Sequence, residues 1–180
     1  MPPSGFRENL ARTDIQCALG KCFLGLLLVA ESPRGVCAIF VGSDRQKLLR
    51  EARRRFPAAR LTRNQAALRF ALGKVVDFVE RPSGRFPLPL DIRGTPFEHL
   101  VWQTLRSIPP GKTATYAEIA RKIGRPRAFR AVGRACAANC LAVAIPCHRA
   151  IGADGSLTGY RWGLARKHAL LTRESPEALV

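Results

Sequence analysis

The chain has 180 residues, of which 47% are hydrophobic, so it can bury a core and is not a disordered protein. Lysine and arginine number 30 against 13 aspartates and glutamates, which gives a formal net charge of +17. A charge this large favours polyanionic partners such as nucleic acid, because neutralising phosphates releases their bound counterions. The alternative is a general bias of the composition towards arginine.

The 6 cysteines do not show the paired CxxC spacing of a zinc site. Cys136 and Cys140 could share a helix face, but a metal ion would need further ligands nearby. We therefore expect no metal, and buried free thiols as in a cytoplasmic protein. The apolar run Cys22–Ala30 begins after charged residues and is too short to span a bilayer, so a buried strand is the better interpretation.

The beginning of the chain predicts a tail followed by a hairpin. Residues 1–14 are polar and irregular, which is typical of a loose N-terminal tail. The apolar runs Cys22–Ala30 and Val36–Val41 are separated by Glu31–Gly35, which contains turn residues. This pattern predicts two buried strands joined by a turn.

A capping box predicts the first helix. Ser43 with Gln46 would open this helix, which runs through about Phe56. Its arginine run, Arg53–Arg55, is more typical of a solvated face than of a specific site.

A second helix and a linker complete the predicted first part. Thr62 with Gln65 would open the helix, and apolar residues follow at helical spacing. Residues 81–94 are rich in proline and glycine, which predicts an extended linker between two subdomains. We therefore expect an N-terminal α/β subdomain over 15–87 and a second subdomain over 88–180.

The second part is predicted to be mostly helical. Thr95–Glu98 combines a capping residue, a proline at the first helical position and an acceptor, and opens a helix to about Ser107. Thr115 with Glu118 repeats the box and opens a helix over Tyr116–Ile123, which stops at a glycine.

A further helix over Ala128–Ala138 completes a helix-turn-helix pattern. Arg127, Arg130 and Arg134 are spaced as a basic stripe, and small residues, among them Ala128 and Ala131, would let the backbone approach a groove closely. This combination indicates a helix docked on DNA. A solvent-facing row of arginines is the alternative.

The segment Ile145–Arg149 carries the strongest chemical signal. It places Cys147 after an apolar run and before His148 and Arg149, two side chains that can carry positive charge. Such neighbours favour the thiolate, which is the nucleophilic form. Because Cys147 and His148 are adjacent, proton transfer through a bridging water is more plausible than direct transfer. Glu174 could orient the imidazole or be an ordinary surface residue.

Several motifs together resemble one family. They are Leu90-Asp91-Ile92-Arg93-Gly94-Thr95, Ile108-Pro109-Pro110-Gly111, Thr115-Tyr116, Ala131-Val132-Gly133, Ala137-Ala138-Asn139, Ile145-Pro146-Cys147-His148-Arg149 and Gly159-Tyr160-Arg161-Trp162-Gly163. In this order they resemble the O6-alkylguanine-DNA alkyltransferases, with the C-terminal repair portion of bacterial Ada proteins as the most similar pattern. The resemblance is dense over 88–175 and loose over 15–87.

The resemblance implies a role for each residue of the reactive segment. Cys147 is the expected alkyl acceptor, and His148 is its base, acting through water, with Glu174 orienting the imidazole. Asn139 is expected to tie the DNA-reading helix to the reactive loop. Tyr116 would donate to guanine N3 and crowd the neighbouring phosphate.

The resemblance also implies how DNA is held. Arg130 would fill the space left by an extruded base. Arg127, Ala128, Ala131 and Arg134 would contact the minor groove. The backbone near Ala150 and Tyr160–Arg161 would hold the guanine edge. Trp162 is bulky where some relatives have glycine, which suggests a narrower pocket that favours methyl over large aryl adducts.

The implied function is single-turnover transfer of an alkyl group from O6-alkylguanine, and from O4-methylthymine, in duplex DNA to Cys147. No cofactor is expected, since the lesion supplies the alkyl group. The protein would be a monomer in the cytoplasm, associated with the nucleoid of a bacterium. The implied fold class is α+β, with a ribonuclease-H-like N-terminal subdomain built on an antiparallel sheet and a winged-helix-like helix-turn-helix.

Three other functions compete with this one. A non-catalytic helix-turn-helix regulator explains the charge but not the segment around Cys147. An alkyltransferase-like protein, which binds lesions without the cysteine, is disfavoured by Cys147 itself. A cysteine hydrolase would have no need of a basic helix.

Overall fold

The computed structural model describes residues 13–175, and the chain divides into two compact units. The first unit comprises Met1–Asp77 and Pro87–Asp91, and the second comprises Phe78–Phe86 and Ile92–Val180. Most of the predicted tail, residues 1–12, lies outside the described residues, and the first strand begins at Asp14. The predicted α+β class is confirmed.

The first unit is built on a four-stranded sheet. Its strands are β1 (Asp14–Cys22), β2 (Gly25–Ser32), β3 (Gly35–Gly42) and β4 (Arg60–Arg63), in the order β3-β2-β1-β4. The first three strands are antiparallel, and β4 runs parallel to β1. The centre of β2 is fully buried, so its sequence shows a continuous apolar run without alternation.

The predicted hairpin is confirmed between β2 and β3, but the sequence prediction missed the hairpin before it. Cys22 ends β1 and pairs with Gly25, the first residue of β2. The predicted strand Cys22–Ala30 was therefore wrong at its start. The turn between β1 and β2 consists of Phe23 and Leu24, which are both apolar, so the turn does not interrupt the hydrophobic pattern.

The first helix, α1 (Arg45–Arg55), begins one residue later than the predicted capping box implies. Asp44, not Ser43, is the N-cap, and its carboxylate accepts hydrogen bonds from the backbone nitrogens of Gln46 at 2.7 Å and Lys47 at 3.1 Å. A carboxylate caps as well as a hydroxyl and also interacts favourably with the helix dipole.

The second helix, α2 (Arg69–Glu80), does not start at the predicted box. Thr62 lies in β4, and Gln65 bonds to the backbone of Leu19 instead of capping a helix. The Gln65 amide accepts from Leu19 N at 3.1 Å and donates to Leu19 O at 2.7 Å. A short, mostly exposed strand such as β4 has no apolar periodicity that would reveal it.

Part of the predicted linker belongs to the first unit. Val36 N donates to Pro89 O, and Asp91 N donates to Val36 O, both at 2.9 Å. The Asp91 carboxylate also accepts a hydrogen bond from Ser32 Oγ at 2.7 Å. These bonds fix residues 87–91 against β3.

The second unit contains four α-helices, a short 3-10 helix at Cys147–Arg149 and a small parallel strand pair among its described residues. The helices are α3 (Pro96–Arg106), α4 (Tyr116–Lys122), α5 (Phe129–Ala138) and α6 (Leu164–Glu174), and the strands are β5 (Ala114–Thr115) and β6 (Ala150–Ile151). Both predicted capping boxes are confirmed, at Thr95 with Glu98 and at Thr115 with Glu118. The predicted pair of short helices is present as α4 and α5.

A buried tryptophan connects α3 to α5. Trp102 Nε1 donates to the carbonyl of Ala135 at 2.9 Å, and both residues are buried. Val101 and Leu105 of α3 are buried beside it, as is Val132 of α5. This packing holds the last turn of α5, which leads directly into the reactive segment. No helix within residues 13–175 meets the length and apolarity needed to cross a membrane.

Substitution of Asp44 tests whether this residue, and not Ser43, is the N-cap of α1. We expect Asp44→Ala to lower the free energy of unfolding measurably, because two backbone N–H groups lose their acceptor. Asp44→Asn keeps an acceptor and should lose much less. Urea unfolding of the two variants and the wild type measures the difference, and equal losses would contradict Asp44 as the cap.

Candidate active site

Asn139 organises the reactive segment that follows α5. It is fully buried at the C-cap of the helix. Its Oδ1 accepts from Leu141 N at 2.8 Å, and its Nδ2 donates to Ile145 O at 2.9 Å. The same Nδ2 lies 3.2 Å from Cys147 Sγ and donates to it. One amide therefore fixes both the loop and the sulfur.

The loop between Asn139 and Cys147 is buried and strained. Every residue from 139 to 150 is buried. Val143 has a φ of 67°, in the left-handed region that β-branched residues rarely adopt. Such a conformation costs roughly 1–3 kcal/mol and persists only where the surroundings impose it. The hydrogen bonds of Asn139 on either side supply that constraint.

Burial dominates the chemistry of the Cys147 thiol. The residue is 3% exposed, and burial raises its pKa to about 11. The hydrogen bond from Asn139 and the charges of Lys167 and Arg161 lower the pKa but do not overcome burial. The expectation that His148 and Arg149 favour the thiolate is wrong, since neither contributes to the pKa of Cys147. The resting form at neutral pH is the thiol.

Glu174 binds the two residues that follow the cysteine in sequence. His148 Nε2 lies 2.8 Å from Glu174 Oε1, and Arg149 donates through Nε to Oε2 at 3.0 Å and through a terminal nitrogen to Oε1 at 2.7 Å. Burial opposes ionisation of Glu174, but the hydrogen bonds from His148 and Arg149 prevail and lower its pKa to about 2. Glu174 is therefore a carboxylate at neutral pH.

The protonation state of His148 follows from its burial and its contact with Glu174. Burial lowers the pKa of His148 below its usual value, against the opposing effect of Glu174, so the ring is neutral at pH 7. A carboxylate can only accept, so we assign the ring proton to Nε2, which leaves Nδ1 as an acceptor. No hydrogen-bond partner for Nδ1 is found among residues 13–175. The imidazole is thus a neutral base whose Nδ1 lone pair can accept a proton.

A cavity of about 230 Å³ gives access to the sulfur. It is lined by Tyr116, Gly133, Cys136, Ala137, Cys147, Gly159, Tyr160 and Arg161. The lining comes from α4, α5, the reactive segment and the loop before α6. The helix-turn-helix and the reactive cysteine therefore share one cavity.

Both tyrosines of the cavity keep their protons. Tyr116 Oη donates to Thr158 O at 2.9 Å, and burial raises its pKa. Burial also raises the pKa of Tyr160 well above its usual value. The Tyr160 hydroxyl is buried and has no hydrogen-bond partner among the described residues. Both hydroxyl groups are therefore protonated, and each can donate a hydrogen bond.

The exposed side of α5 is basic. Arg130 and Arg134 are exposed on the helix, and Arg127 is exposed in the turn before it. Ala128 and Ala131 are half-buried, which leaves the backbone accessible between the arginines. Phe129 is 46% exposed, and the guanidinium of Arg130 lies 5.8 Å from its ring centroid.

Several known proteins are similar to this chain in sequence and fold. A family model described as "6-O-methylguanine DNA methyltransferase, DNA binding domain" matches residues 96–176. The inducible methylated-DNA--protein-cysteine methyltransferase of Bacillus subtilis (strain 168) is 39% identical over 149 residues, which cover 81% of this chain and 82% of that protein. This chain belongs to the O6-methylguanine-DNA methyltransferase family.

Two further relatives define the extent of the family match. The bifunctional transcriptional activator/DNA repair enzyme Ada of Escherichia coli (strain K12) is 48% identical over 168 residues. The match covers 93% of this chain but 47% of Ada, so the chain spans about half the length of that relative. The crystal structure of Mycobacterium tuberculosis OGT in complex with DNA has a TM-score of 0.72 and 33% identity, covering 90% of this chain and 93% of that one.

The structure brings most of the predicted site residues together. Cys147, Tyr116, Tyr160 and Arg161 line the cavity, Asn139 contacts the sulfur, and His148 contacts Glu174. Two predicted pocket residues lie elsewhere. Trp162 is buried behind Tyr160, with ring centroids 5.3 Å apart, and is not part of the lining, so it does not narrow the pocket directly.

Ala150 is the second predicted pocket residue outside the lining. It is fully buried, and its carbonyl accepts from Lys167 Nζ at 2.6 Å. Of the two cysteines that could share a helix face, Cys136 lines the cavity, while Cys140 lies 3.9 Å from a terminal nitrogen of Arg161. Among the described residues, no group of histidine, cysteine, aspartate and glutamate could hold a metal ion.

Lys167 is a site residue that sequence reasoning missed. It is fully buried, and its Nζ also donates to Thr158 O at 3.0 Å and Gly159 O at 3.2 Å. It thereby fixes one wall of the cavity and lowers the pKa of Cys147. A signal was present, because Lys167 shares a helix face with Leu170, a buried residue, and with Glu174.

The pH dependence of thiol labelling tests the state of Cys147. We expect its rate of reaction with iodoacetamide to rise about tenfold per pH unit from pH 7 towards the pKa of about 11, because only the thiolate reacts. Glutathione is the control and should level off near its ordinary thiol pKa of ~8.5–9. Peptide mass spectrometry isolates the Cys147 signal, and a plateau below pH 9 would contradict the raised pKa.

Proposed function

We propose that this chain repairs DNA by moving the alkyl group of O6-alkylguanine, and of O4-methylthymine, onto its own Cys147, once per molecule. The observation that carries the proposal is the buried thiol of Cys147, which lines a small cavity and precedes in sequence the buried neutral imidazole of His148. Family membership supports the same reaction, since the Bacillus subtilis relative is named a methylated-DNA--protein-cysteine methyltransferase and the Escherichia coli relative a DNA repair enzyme.

The reaction is an in-line displacement at the alkyl carbon. The Sγ–carbon bond forms as the carbon–O6 bond breaks, and the thiol proton passes through water to Nδ1 of His148. Forming the thiolate at pH 7 from a pKa of about 11 costs roughly 5 kcal/mol, a modest part of a typical barrier. The carboxylate of Glu174 stabilises the imidazolium that results.

Tyr116 and the loop before α6 handle the leaving base. The Tyr116 hydroxyl exchanges its bond to Thr158 O for one to guanine N3, and this proton stabilises the departing guanine. The backbone of Tyr160 and Arg161 binds the guanine edge. The Ala150 carbonyl lies outside the cavity lining and accepts from Lys167, so its role is to hold the loop that binds this edge.

The arginines and small residues of α5 bind the damaged duplex. Arg127 and Arg134 neutralise phosphates, while Ala128 and Ala131 allow the helix to enter the minor groove. O6 cannot be attacked inside the stack, so the nucleotide turns outward at a cost of a few kcal/mol. Arg130 fills the space that the base leaves, and Phe129 beneath its guanidinium orients it.

The two units have different roles, and the topology of each fits a known fold class. The first unit, which ends at Asp77 and includes Pro87–Asp91, is the α/β subdomain, and the second unit, Phe78–Phe86 with the residues from Ile92 onward, carries alkyl transfer and DNA binding. The strand order β3-β2-β1-β4, with a parallel fourth strand, supports a ribonuclease-H-like first unit. The β5–β6 pair beside α4 and α5 supports a winged-helix-like second unit. We place the protein, as a monomer, in a bacterial cytoplasm at the nucleoid.

Mass spectrometry after mixing with duplex DNA that contains O6-methylguanine tests the proposal. We expect one added methyl group per molecule, located on Cys147, and no transfer by Cys147→Ala. Cys136→Ala, which removes the other cysteine of the cavity, is the matched control and should still be methylated at Cys147. More than one turnover per molecule, or a methyl group on another residue, would refute the mechanism.

Substitution of Arg130 tests base extrusion separately from chemistry. We expect Arg130→Ala to slow transfer from duplex DNA about tenfold, equivalent to ~1.4 kcal/mol, because the vacated space stays unfilled. Transfer from the free alkylated base and from single-stranded DNA should be unchanged. Single-turnover rates on the three substrates give the comparison, with Arg134→Ala as a control that loses one phosphate contact. Equal slowing on all three substrates would contradict the assigned role.

A further inference from the structure

The helix α1 carries a second basic stripe in the first unit. Lys47, Arg50 and Arg54 stand at i, i+3 and i+7 and are all exposed, whereas Leu48 and Ala52 on the other side are buried. This spacing is the same as that of Arg127, Arg130 and Arg134. Here, however, all three positions lie within one continuous helix. The stripe extends for about 10 Å along the helix axis.

Further cations flank this stripe. Arg53 is exposed on α1 next to Arg54, and Arg60 and Arg63 are exposed on β4, the strand that follows in sequence. We call Lys47, Arg50, Arg53 and Arg54 of α1 the basic face.

Few acidic groups oppose this charge. Residues 45–63 contain eight lysines and arginines and one glutamate, Glu51, a net charge of +7. Asp44 precedes the segment, but its carboxylate caps α1. A net charge this dense is costly unless a polyanion or salt neutralises it.

We propose that the basic face is a second DNA-binding surface, which contacts the phosphate backbone of duplex DNA without reading its sequence. Each cation that neutralises a phosphate releases counterions, so the affinity gained falls steeply with salt. This contact goes beyond alkyl transfer and does not depend on it, because it needs neither a lesion nor Cys147.

The composition of the face favours nucleic acid over a lipid surface. A helix that lies on a membrane inserts an apolar face rich in large side chains. The large exposed apolar residues of the described chain are Phe70, Leu100, Phe129 and Leu164, none of them on α1 or β4. Planar arginine guanidinium groups suit phosphate oxygens, and the face is made mostly of arginine.

Salt dependence of binding to undamaged duplex DNA tests the proposal. We expect the triple variant Lys47→Gln, Arg50→Gln, Arg54→Gln to lower the slope of log affinity against log salt by about 2–3, since each lost phosphate contact removes about 0.9. The matched control is Arg34→Gln, Arg69→Gln, Lys74→Gln, which removes the same charge from exposed sites elsewhere in the first unit. The control should change the slope by less than half as much.

Two further measurements distinguish a phosphate contact from other effects of the substitutions. The charge-conserving triple Lys47→Arg, Arg50→Lys, Arg54→Lys should keep the wild-type slope. Alkyl transfer from free O6-benzylguanine should be the same for all variants, so failure of the repair proposal shows there and not in the slope. Equal slope changes in the two glutamine triples, or no change in either, would overturn the proposal. Lost binding to phosphatidylserine vesicles with duplex binding unchanged would also overturn it.

Discussion

The hydrogen bonds of one buried amide hold the reactive segment in place. Asn139 ends the helix that carries the arginines and at the same time bonds to Leu141, Ile145 and the sulfur of Cys147. A buried amide with a lost partner costs about 1–3 kcal/mol, so these contacts form together or not at all. The position of the nucleophile is therefore coupled to the position of α5.

Glu174 binds the two basic residues that follow the nucleophile in sequence. Its carboxylate contacts both His148 and Arg149. The imidazole stays neutral and can accept a proton, which a permanently charged ring could not do. The cations that act on the sulfur are Lys167 and Arg161, which lie later in the chain. In the proposed mechanism, the thiol therefore loses its proton only during the reaction.

Local signals predicted much of the fold, and long-range contacts account for what was missed. Capping boxes at Thr95 and Thr115 place two helices, because each is complete within four residues. Gln65 also matches a box, yet it bonds to Leu19, a partner 46 residues away. The site shows the same division, since motifs identify Cys147, whereas the backbone carbonyls that Lys167 binds emerge only from packing.

The raised pKa of Cys147 also governs how readily the thiol reacts with other electrophiles. On the proposed function each molecule reacts once, so a side reaction of Cys147 with a peroxide or another electrophile inactivates that molecule. With a pKa of about 11, roughly one molecule in ten thousand carries the thiolate at pH 7, against a few per cent for an ordinary cysteine. Burial thus lowers the reactive thiolate fraction of the unreacted protein by about two orders of magnitude.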